Sequence, residues 1–420
     1  MEKSKLTYDG RKDLVEIERH ARPPVPTAAP GICQHLVFHT NNDDMAYERR
    51  ACLNICQQLG LNPSSDLDDQ ISAEADGIVL KWERHTEFTS YTFIQQNVSD
   101  RKNFIPWVER DLGWASVPGK LLVSLLIGIE SKRSPVWSNK ARFDWGSQKP
   151  ICSSLVMENT TIIETDLRAD QYGYTRYLIK TSSKEATRLG RMLQRLIEIE
   201  TYGIFCLYAS KDAKELGPLL GEAERRLGDI INRLTRESGE PDEAILADLT
   251  ELSAFHEATT VRSHFRMNAS LAYHEIAMRR LKELREERVA GAQRLANFMK
   301  RRMNPAARTY TSILRRQEET AQRINRATQL LRGRIEVAIG KQNQELLRSM
   351  NARAEAQYKL QKTVEGLSVV AISYYALGIL TYMITVFKGN LGGFSVKEVV
   401  GMLVPLVFLG VWWSVRKIRK

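Results

Sequence analysis

The chain has 420 residues, of which 43% are hydrophobic and 26% are charged, and its formal net charge is +11 at pH 7. A chain of this length and composition builds more than one apolar core, which excludes a wholly disordered protein. The five cysteines are an odd number without a disulfide-like framework, so we expect reduced, buried thiols that face a cytosol.

The first motif in the chain is ERHARPP, which places His20 and Arg22 directly before Pro23 and Pro24. The prolines keep the backbone extended, so both polar side chains lie on a stiff segment. Such a segment suits a ligand site, and it equally suits a clamp that fastens the N-terminal arm. Because no nucleophile or carboxylate pair lies nearby in sequence, we favour the clamp.

Residues 1–182 show short strand patterns and one helical pattern, which predict a mixed α/β domain. A strand at 35–40 precedes a helix that ends at Gly60. Residues 78–93 predict a strand or a hairpin, and the apolar run at 120–130 predicts a central strand. Three more strand patterns follow between 151 and 183.

A second polar cluster, WERHTEF, contains Glu83, His85 and Glu87. In an extended strand these three side chains share one face. Two carboxylates beside a histidine suit a hard cation, but a solvated or interface face explains them as well, and we prefer it. Cys52 and Cys56 have the spacing of half a metal site, yet no second Cys/His pair follows, so we predict buried thiols there and assign no metal.

The chain from about residue 184 predicts mostly helix, broken at 238–241 and at Pro305. Gly203 and Gly217-Pro218 are candidate interruptions of the first helix. The predicted helices lie near 184–236, 241–303 and from 305 or 306 to 387. The last is roughly 120 Å long at 1.5 Å per residue, so it must pack on the second helix and on other copies of the chain.

The helical part is strongly basic. Residues 276–362 contain 21 Lys and Arg against 8 Asp and Glu, a net charge of +13. Solvated helix faces beside an anionic membrane account for this charge. Nucleic-acid binding is the less favoured explanation, because no nucleic-acid-binding signature accompanies the basic residues.

Two apolar runs near the C-terminus, Leu367–Phe387 and Val399–Val415, have the length and composition of membrane spans. Trp412 and Trp413 precede a basic tail, as at the cytoplasmic end of a span. The less basic connector faces outward, so both termini and the main domain are expected in the cytoplasm of a bacterium, with the spans in its inner membrane.

The predicted fold class is therefore an α+β membrane protein with an N-terminal mixed α/β domain, a long helical stalk and two C-terminal transmembrane helices. The predicted divisions are a cytosolic domain at 1–182, a stalk at 183–363, a first span at 364–387, an external loop at 388–397, a second span at 398–415 and a basic cytoplasmic tail at 416–420.

One face of the first span carries small and hydroxyl-bearing residues. We call this set the stripe; its members are Ser368, Ala371, Tyr375, Gly378, Tyr382 and Thr385. Such a stripe either packs against another helix, which we prefer, or lines a polar path. The chain contains no P-loop, dinucleotide-binding turn, nucleophile elbow or HExxH motif, so we predict neither an enzyme nor a cofactor.

Five stretches, ERHARPP, ERHTEF, RRMNPAART, QNQELLRSM and KTVEGLSVVAISYY, resemble a bacterial family of membrane-anchored proteins of unknown function. That resemblance spans nearly the whole chain and implies the anchored topology, but no activity. The layout is also similar to that of CorA-type magnesium channels, which are pentamers with the stalk helix around a pore. Their Gly-Met-Asn signature falls here at Gly389 and Asn390, and its methionine is absent.

Two hypotheses follow. The first is a CorA-like ion conduit, a homo-oligomer in which the stripe lines the path of an inorganic cation and Gly389 and Asn390 lie at its mouth. The second is a tethered scaffold or sensor that transports nothing and binds a cytosolic partner or anionic lipid.

Overall fold

A computed structural model represents the protein. It describes residues 23–40, 45–67, 69–97, 106–131, 151–170, 172–236, 241–386 and 396–418. These residues form a mixed α/β structure with an N-terminal sheet, a long C-terminal helix and a final helix, which confirms that part of the predicted fold class.

A ten-stranded sheet dominates the N-terminal part of the chain. Its strands are β1 (Gly31–His39), β2 (Asn62–Leu67), β3 (Gln70–Ala75), β4 (Ile78–Arg84), β5 (Phe88–Gln96), β6 (Lys120–Ser131), β7 (Cys152–Val156), β8 (Thr161–Ala169), β9 (Thr175–Thr181) and β10 (Glu287–Arg288). They lie in the order β10-β7-β8-β9-β6-β1-β5-β4-β3-β2. Among these strands, β6 and β9 are parallel and the other neighbours are antiparallel.

The helices make up most of the remainder of the described chain. They are α1 (Met45–Gln58), α2 (Ala186–Tyr208), α3 (Ser210–Thr235), α4 (Asp242–Glu283), α5 (Leu295–Val386) and α6 (Val396–Ile418). The chain divides into two compact units. The first comprises residues 1–238 and 247–325, and the second comprises residues 239–246 and 326–420. The predicted domain boundaries stay predictions.

Two apolar cores cover the two faces of the sheet within the first unit. Because side chains alternate along a strand, Cys33 and Val37 of β1 enter the core that contains α2, while Leu36 enters the core that contains α1. Trp82 and Tyr91 are fully buried in the second of these cores. On β4 and β5, the residues that alternate with these buried aromatic side chains therefore point to the other face of the sheet, which α2 covers.

Residues 78–93, predicted to form a strand or a hairpin, form the hairpin of β4 and β5, and the predicted central strand is confirmed as β6. Strands β2 and β3 were not predicted. Strand β3 has only six residues, which is too short for a distinct sequence signal.

Helix α5 begins at Leu295 rather than at Pro305, which lies inside it. The Leu295 amide donates to Ser154 Oγ over 3.0 Å, and the Ala296 amide donates to Glu286 Oε2 over 3.0 Å. These acceptors satisfy the first amides of the helix, which have no partner within it. Since Ser154 lies on β7, far away in the sequence, the local pattern carries no sign of this helix start.

The interruption in the first predicted helix also falls elsewhere. It lies at Ala209 between α2 and α3, whereas Gly203 and Pro218 lie inside helices. A Cβ at position 203 would lie 2.8 Å from the Met299 methyl group, so Gly203 permits close packing of α5 on α2. The glycine thus has a packing role rather than a breaking role.

Helices α5 and α6 are both long and apolar enough to cross a membrane. In their most apolar windows, 11% and 0% of the residues are buried inside the protein. A core helix of a soluble protein buries its apolar residues, so the exposure of these windows favours membrane association.

Candidate ligand-binding site

A cavity of ≈ 300 Å³ lies between one face of the sheet and helix α2. Residues of strands β1, β4 and β5 form its floor. The end of α4 and the segment at Pro24 and Val25 complete its wall. The titratable residues that line it are His35, Lys81, Glu83, His85, Glu198, Tyr202 and Arg280.

Strand alternation brings Lys81 and Glu83 into the cavity, because Trp82 between them enters the opposite core. Lys81 Nζ lies 3.0 Å from Glu83 Oε1 and donates to the Pro23 backbone oxygen, also over 3.0 Å. The two side chains expose 6% and 14% of their surface. The Lys81 ammonium is therefore buried as part of an ion pair, as a charge inside a protein must be.

A second ion pair faces the cavity from the helical side. Gln194 and Glu198 are four residues apart and share a face of α2, where Gln194 Nε2 donates to Glu198 Oε1 over 3.0 Å. Arg280 of α4 pairs with the same carboxylate. Burial raises the pKa of Glu198, although the Arg280 charge opposes the shift. Two cations and two carboxylates thus line the cavity.

His35 connects the floor of the cavity to helix α2. Its Nδ1 shares a hydrogen bond with Thr92 Oγ1 over 2.8 Å, and its Nε2 shares one with Thr201 Oγ1 over 3.2 Å. Burial, followed by the nearby Lys81 charge, lowers the pKa of His35 to about 3. The ring is therefore neutral and both of its nitrogens are engaged, so His35 holds the site together rather than binding a metal.

The hairpin turn divides the predicted trio of Glu83, His85 and Glu87. His85 lines the cavity beside Glu83 and stacks on Phe88, with ring centroids 4.2 Å apart. Glu87 instead pairs with Arg266 and accepts a hydrogen bond from the Tyr273 hydroxyl over 2.6 Å. The structure differs from an extended strand here, because the chain turns between β4 and β5.

The segment after the ERHARPP motif packs directly on α2 at the edge of the cavity. The Thr27 amide donates to the Ala186 oxygen over 3.0 Å. A Cβ at Gly190 would lie 2.1 Å from the Val25 oxygen, so only glycine allows this contact. His20 and Arg22 lie outside the described residues, and their role as a clamp stays a prediction.

Sequence reasoning missed three charged residues of the cavity, Lys81, Glu198 and Arg280. Lys81 carries a local signal, since a lysine between Leu80 and Trp82 interrupts a strand of high β-propensity. Glu198 and Arg280 carry none, because their pairing depends on how α2 packs against α4.

The stripe lies on an open side of α5. Tyr375 and Tyr382 are 71% and 79% exposed, whereas Val369 and Ser373 on another face are buried. The Thr385 hydroxyl donates a hydrogen bond to the Thr381 backbone oxygen over 2.6 Å, so it does not require an acceptor on a second helix. Gly389 and Asn390 lie outside the described residues.

A family model described as "Protein of unknown function (DUF3422)" matches residues 7–420, nearly the whole chain. The chain belongs to this family. Membership in DUF3422 confirms the resemblance to an uncharacterised family and supplies no activity. No curated protein and no solved structure matches the chain. The likeness to CorA-type channels stays a prediction.

This DUF3422 chain has no group of three or more His, Cys, Asp or Glu side chains arranged to hold a metal within its described part. All five cysteines are buried and take part in no disulfide, which confirms the prediction of buried thiols. Cys52 and Cys56 belong to α1 and lie in the core between that helix and the sheet.

Proposed function

We propose that the protein is a membrane-anchored sensor whose cavity binds a small zwitterionic molecule, such as a free amino acid. The observation that carries this proposal is the presence of two ion pairs, Lys81–Glu83 and Glu198–Arg280, around one cavity of ≈ 300 Å³. A zwitterion presents a carboxylate to a cation and an ammonium to a carboxylate without adding net charge to a buried site.

The cavity also has an apolar side. Val25, Ile94 and Leu193 line it together with Ile197. Ligand sites commonly combine such a wall with a few polar groups that orient the ligand. A short aliphatic side chain on the zwitterion fits this arrangement.

The anchor in this proposal is the pair of apolar helices, with membrane lipid as their partner. The exposure of their apolar windows supports it. The basic residues after Trp413 favour an orientation with both termini and the main domain in the cytoplasm and the helices in a bacterial inner membrane.

Binding is tested on the full-length protein in detergent by the thermal midpoint of unfolding, with each free L-amino acid as a probe and inorganic phosphate as the anion control. A ligand at 100 times its Kd adds about 2.7 kcal/mol of stability, so we expect one or more amino acids to raise the midpoint by several degrees. Glu83→Gln is expected to abolish this shift, because it removes one of the carboxylates.

Glu164→Gln is the matched control. It alters a similar pair, Lys180–Glu164 at 2.9 Å, which lies on β8 and β9 outside the cavity, and it is expected to retain the shift. The proposal fails if no amino acid shifts the midpoint, or if both variants lose the shift equally.

The second candidate is the ion conduit formed by several copies of the chain, with an inorganic cation as the transported ligand. The exposure of Tyr375 and Tyr382 on the stripe favours it. Reconstituted liposomes are expected to pass divalent or monovalent cations, and Tyr382→Leu is expected to slow this flux more than Met383→Leu does. A flux equal to that of empty vesicles contradicts the candidate.

A further inference from the structure

Helix α5 contains a long segment that stays exposed among the described residues. Leu331 is buried and Arg334 pairs with Asp242 over 3.3 Å, but every residue from 336 to 364 is exposed. Most helical stability in proteins comes from packing of an apolar face, and Gly340 weakens this segment further. Packing against a second helix would stabilise this segment.

Val337, Leu347 and Tyr358 lie off the pattern, but six other exposed apolar residues in and directly after this segment follow a heptad pattern. We call them the seam, which consists of Ile339, Leu346, Met350, Leu360, Val364 and Leu367. Together with Asn343, Arg353 and Gln357 they complete alternating steps of four and three residues. The seam residues are between 51% and 73% exposed.

The opposite side of the helix has the contrary character. The four positions farthest from the seam are all charged, namely Lys341, Arg348, Glu355 and Lys362. An apolar line at heptad spacing opposite a charged line is typical of a coiled-coil interface and not of a lone solvated helix.

We propose that the seam pairs with the seam of a second copy of this chain in a parallel, two-stranded coiled coil. The direction rests on the proposed membrane anchoring, since copies inserted in the same orientation present α5 in the same direction. Leucine occupies three d positions of the heptad, and Asn343 occupies an a position. That combination favours two strands in register.

The same register continues into the apolar part of α5. Counting by seven from Val364 reaches Ala371 and Gly378 of the stripe. Small residues at these positions allow two helices to approach closely in a membrane. Arg353, in contrast, lies opposite Arg353 of the second copy, and the two guanidinium groups repel each other. The association is therefore reversible and responds strongly to Arg353.

Disulfide cross-linking of the full chain in membranes tests the register. The five native cysteines are buried, so single cysteines placed in the exposed segment react alone. We expect Leu346→Cys and Leu360→Cys each to form dimers, because a disulfide needs Cα atoms within about 7 Å. Arg348→Cys and Lys362→Cys are the controls on the charged side and are expected to stay monomeric.

The mass of the detergent-solubilised protein tests the strength and the number of copies. We expect the unchanged protein to be a dimer. Its dissociation constant is expected to rise about 100-fold in Leu346→Asp, because the substitution alters both copies, and to fall in Arg353→Leu. Ala352→Asp, which adds the same charge away from the seam, is expected to behave like the unchanged protein.

Equal cross-linking on both sides, a monomer at all concentrations, or a ring of about five copies would overturn the proposal. Alkaline extraction of the membranes separates it from the proposed function. If the protein is extracted but Leu346→Cys and Leu360→Cys still cross-link, the anchoring fails and the paired seam stands. If it resists extraction and neither variant cross-links, the anchoring stands and the paired seam fails.

Discussion

Replacing Glu200 with glutamine is expected to remove most of the loss of stability that we predict for the protein between about pH 5 and pH 8. Glu200 lies on α2 and is buried, and the Tyr177 hydroxyl donates to its carboxylate. Burial raises the pKa of Glu200 from its ordinary 4.5 to about 7, although the Tyr177 hydrogen bond opposes the shift.

The direction in which stability changes with pH follows from the raised pKa of Glu200. An acid whose pKa is raised by folding binds its proton more tightly in the folded state, so its stabilising contribution is complete below pH 4.5 and is lost as the pH rises through about 7. A shift of this size corresponds to about 3 kcal/mol. Urea unfolding at several pH values measures it.

A glutamine side chain keeps an oxygen that accepts the hydrogen bond from the Tyr177 hydroxyl, and this side chain cannot ionise. The variant is therefore expected to be more stable than the unchanged protein above pH 7. Glu164→Gln is the control and should retain the slope with pH. An equal slope in Glu200→Gln and the unchanged protein would show that another group controls the dependence.

Replacing Glu87 with leucine is expected to destabilise the first unit by about 3 kcal/mol. Glu87 is 7% exposed, and its carboxylate forms an ion pair with the Arg266 guanidinium and accepts a hydrogen bond from the Tyr273 hydroxyl. Burial already lowers the pKa of Arg266, which shows how poorly its charge is solvated. Without Glu87 the charge stays buried and unpaired.

The double variant Glu87→Leu/Arg266→Met is expected to recover most of this loss, because apolar groups of similar size replace a buried ion pair at little cost. Urea unfolding followed by tryptophan fluorescence compares the variants. Glu319→Leu, which breaks the exposed pair with Arg315, is the control and should leave the urea midpoint unchanged. A double variant as unstable as the single one would assign the loss to packing rather than to charge.

Local pattern and chain packing determined different parts of this protein. The alternation in residues 78–93 predicted the extended structure that forms β4 and β5, and the apolar runs near the C-terminus predicted two helices long enough to span a membrane. These features depend on residues close together in the chain, so the sequence by itself determines them. The heptad of the seam is of the same kind.

Only the tertiary structure decided the cavity and the ends of the helices. Arg280 reaches Glu198 across 82 residues, and Arg266 reaches Glu87 across 179 residues. Helix α5 begins where it does because Ser154 and Glu286 accept its first amides. Each of these contacts depends on how the sheet, α2 and α4 pack against one another, which local sequence periodicity does not predict.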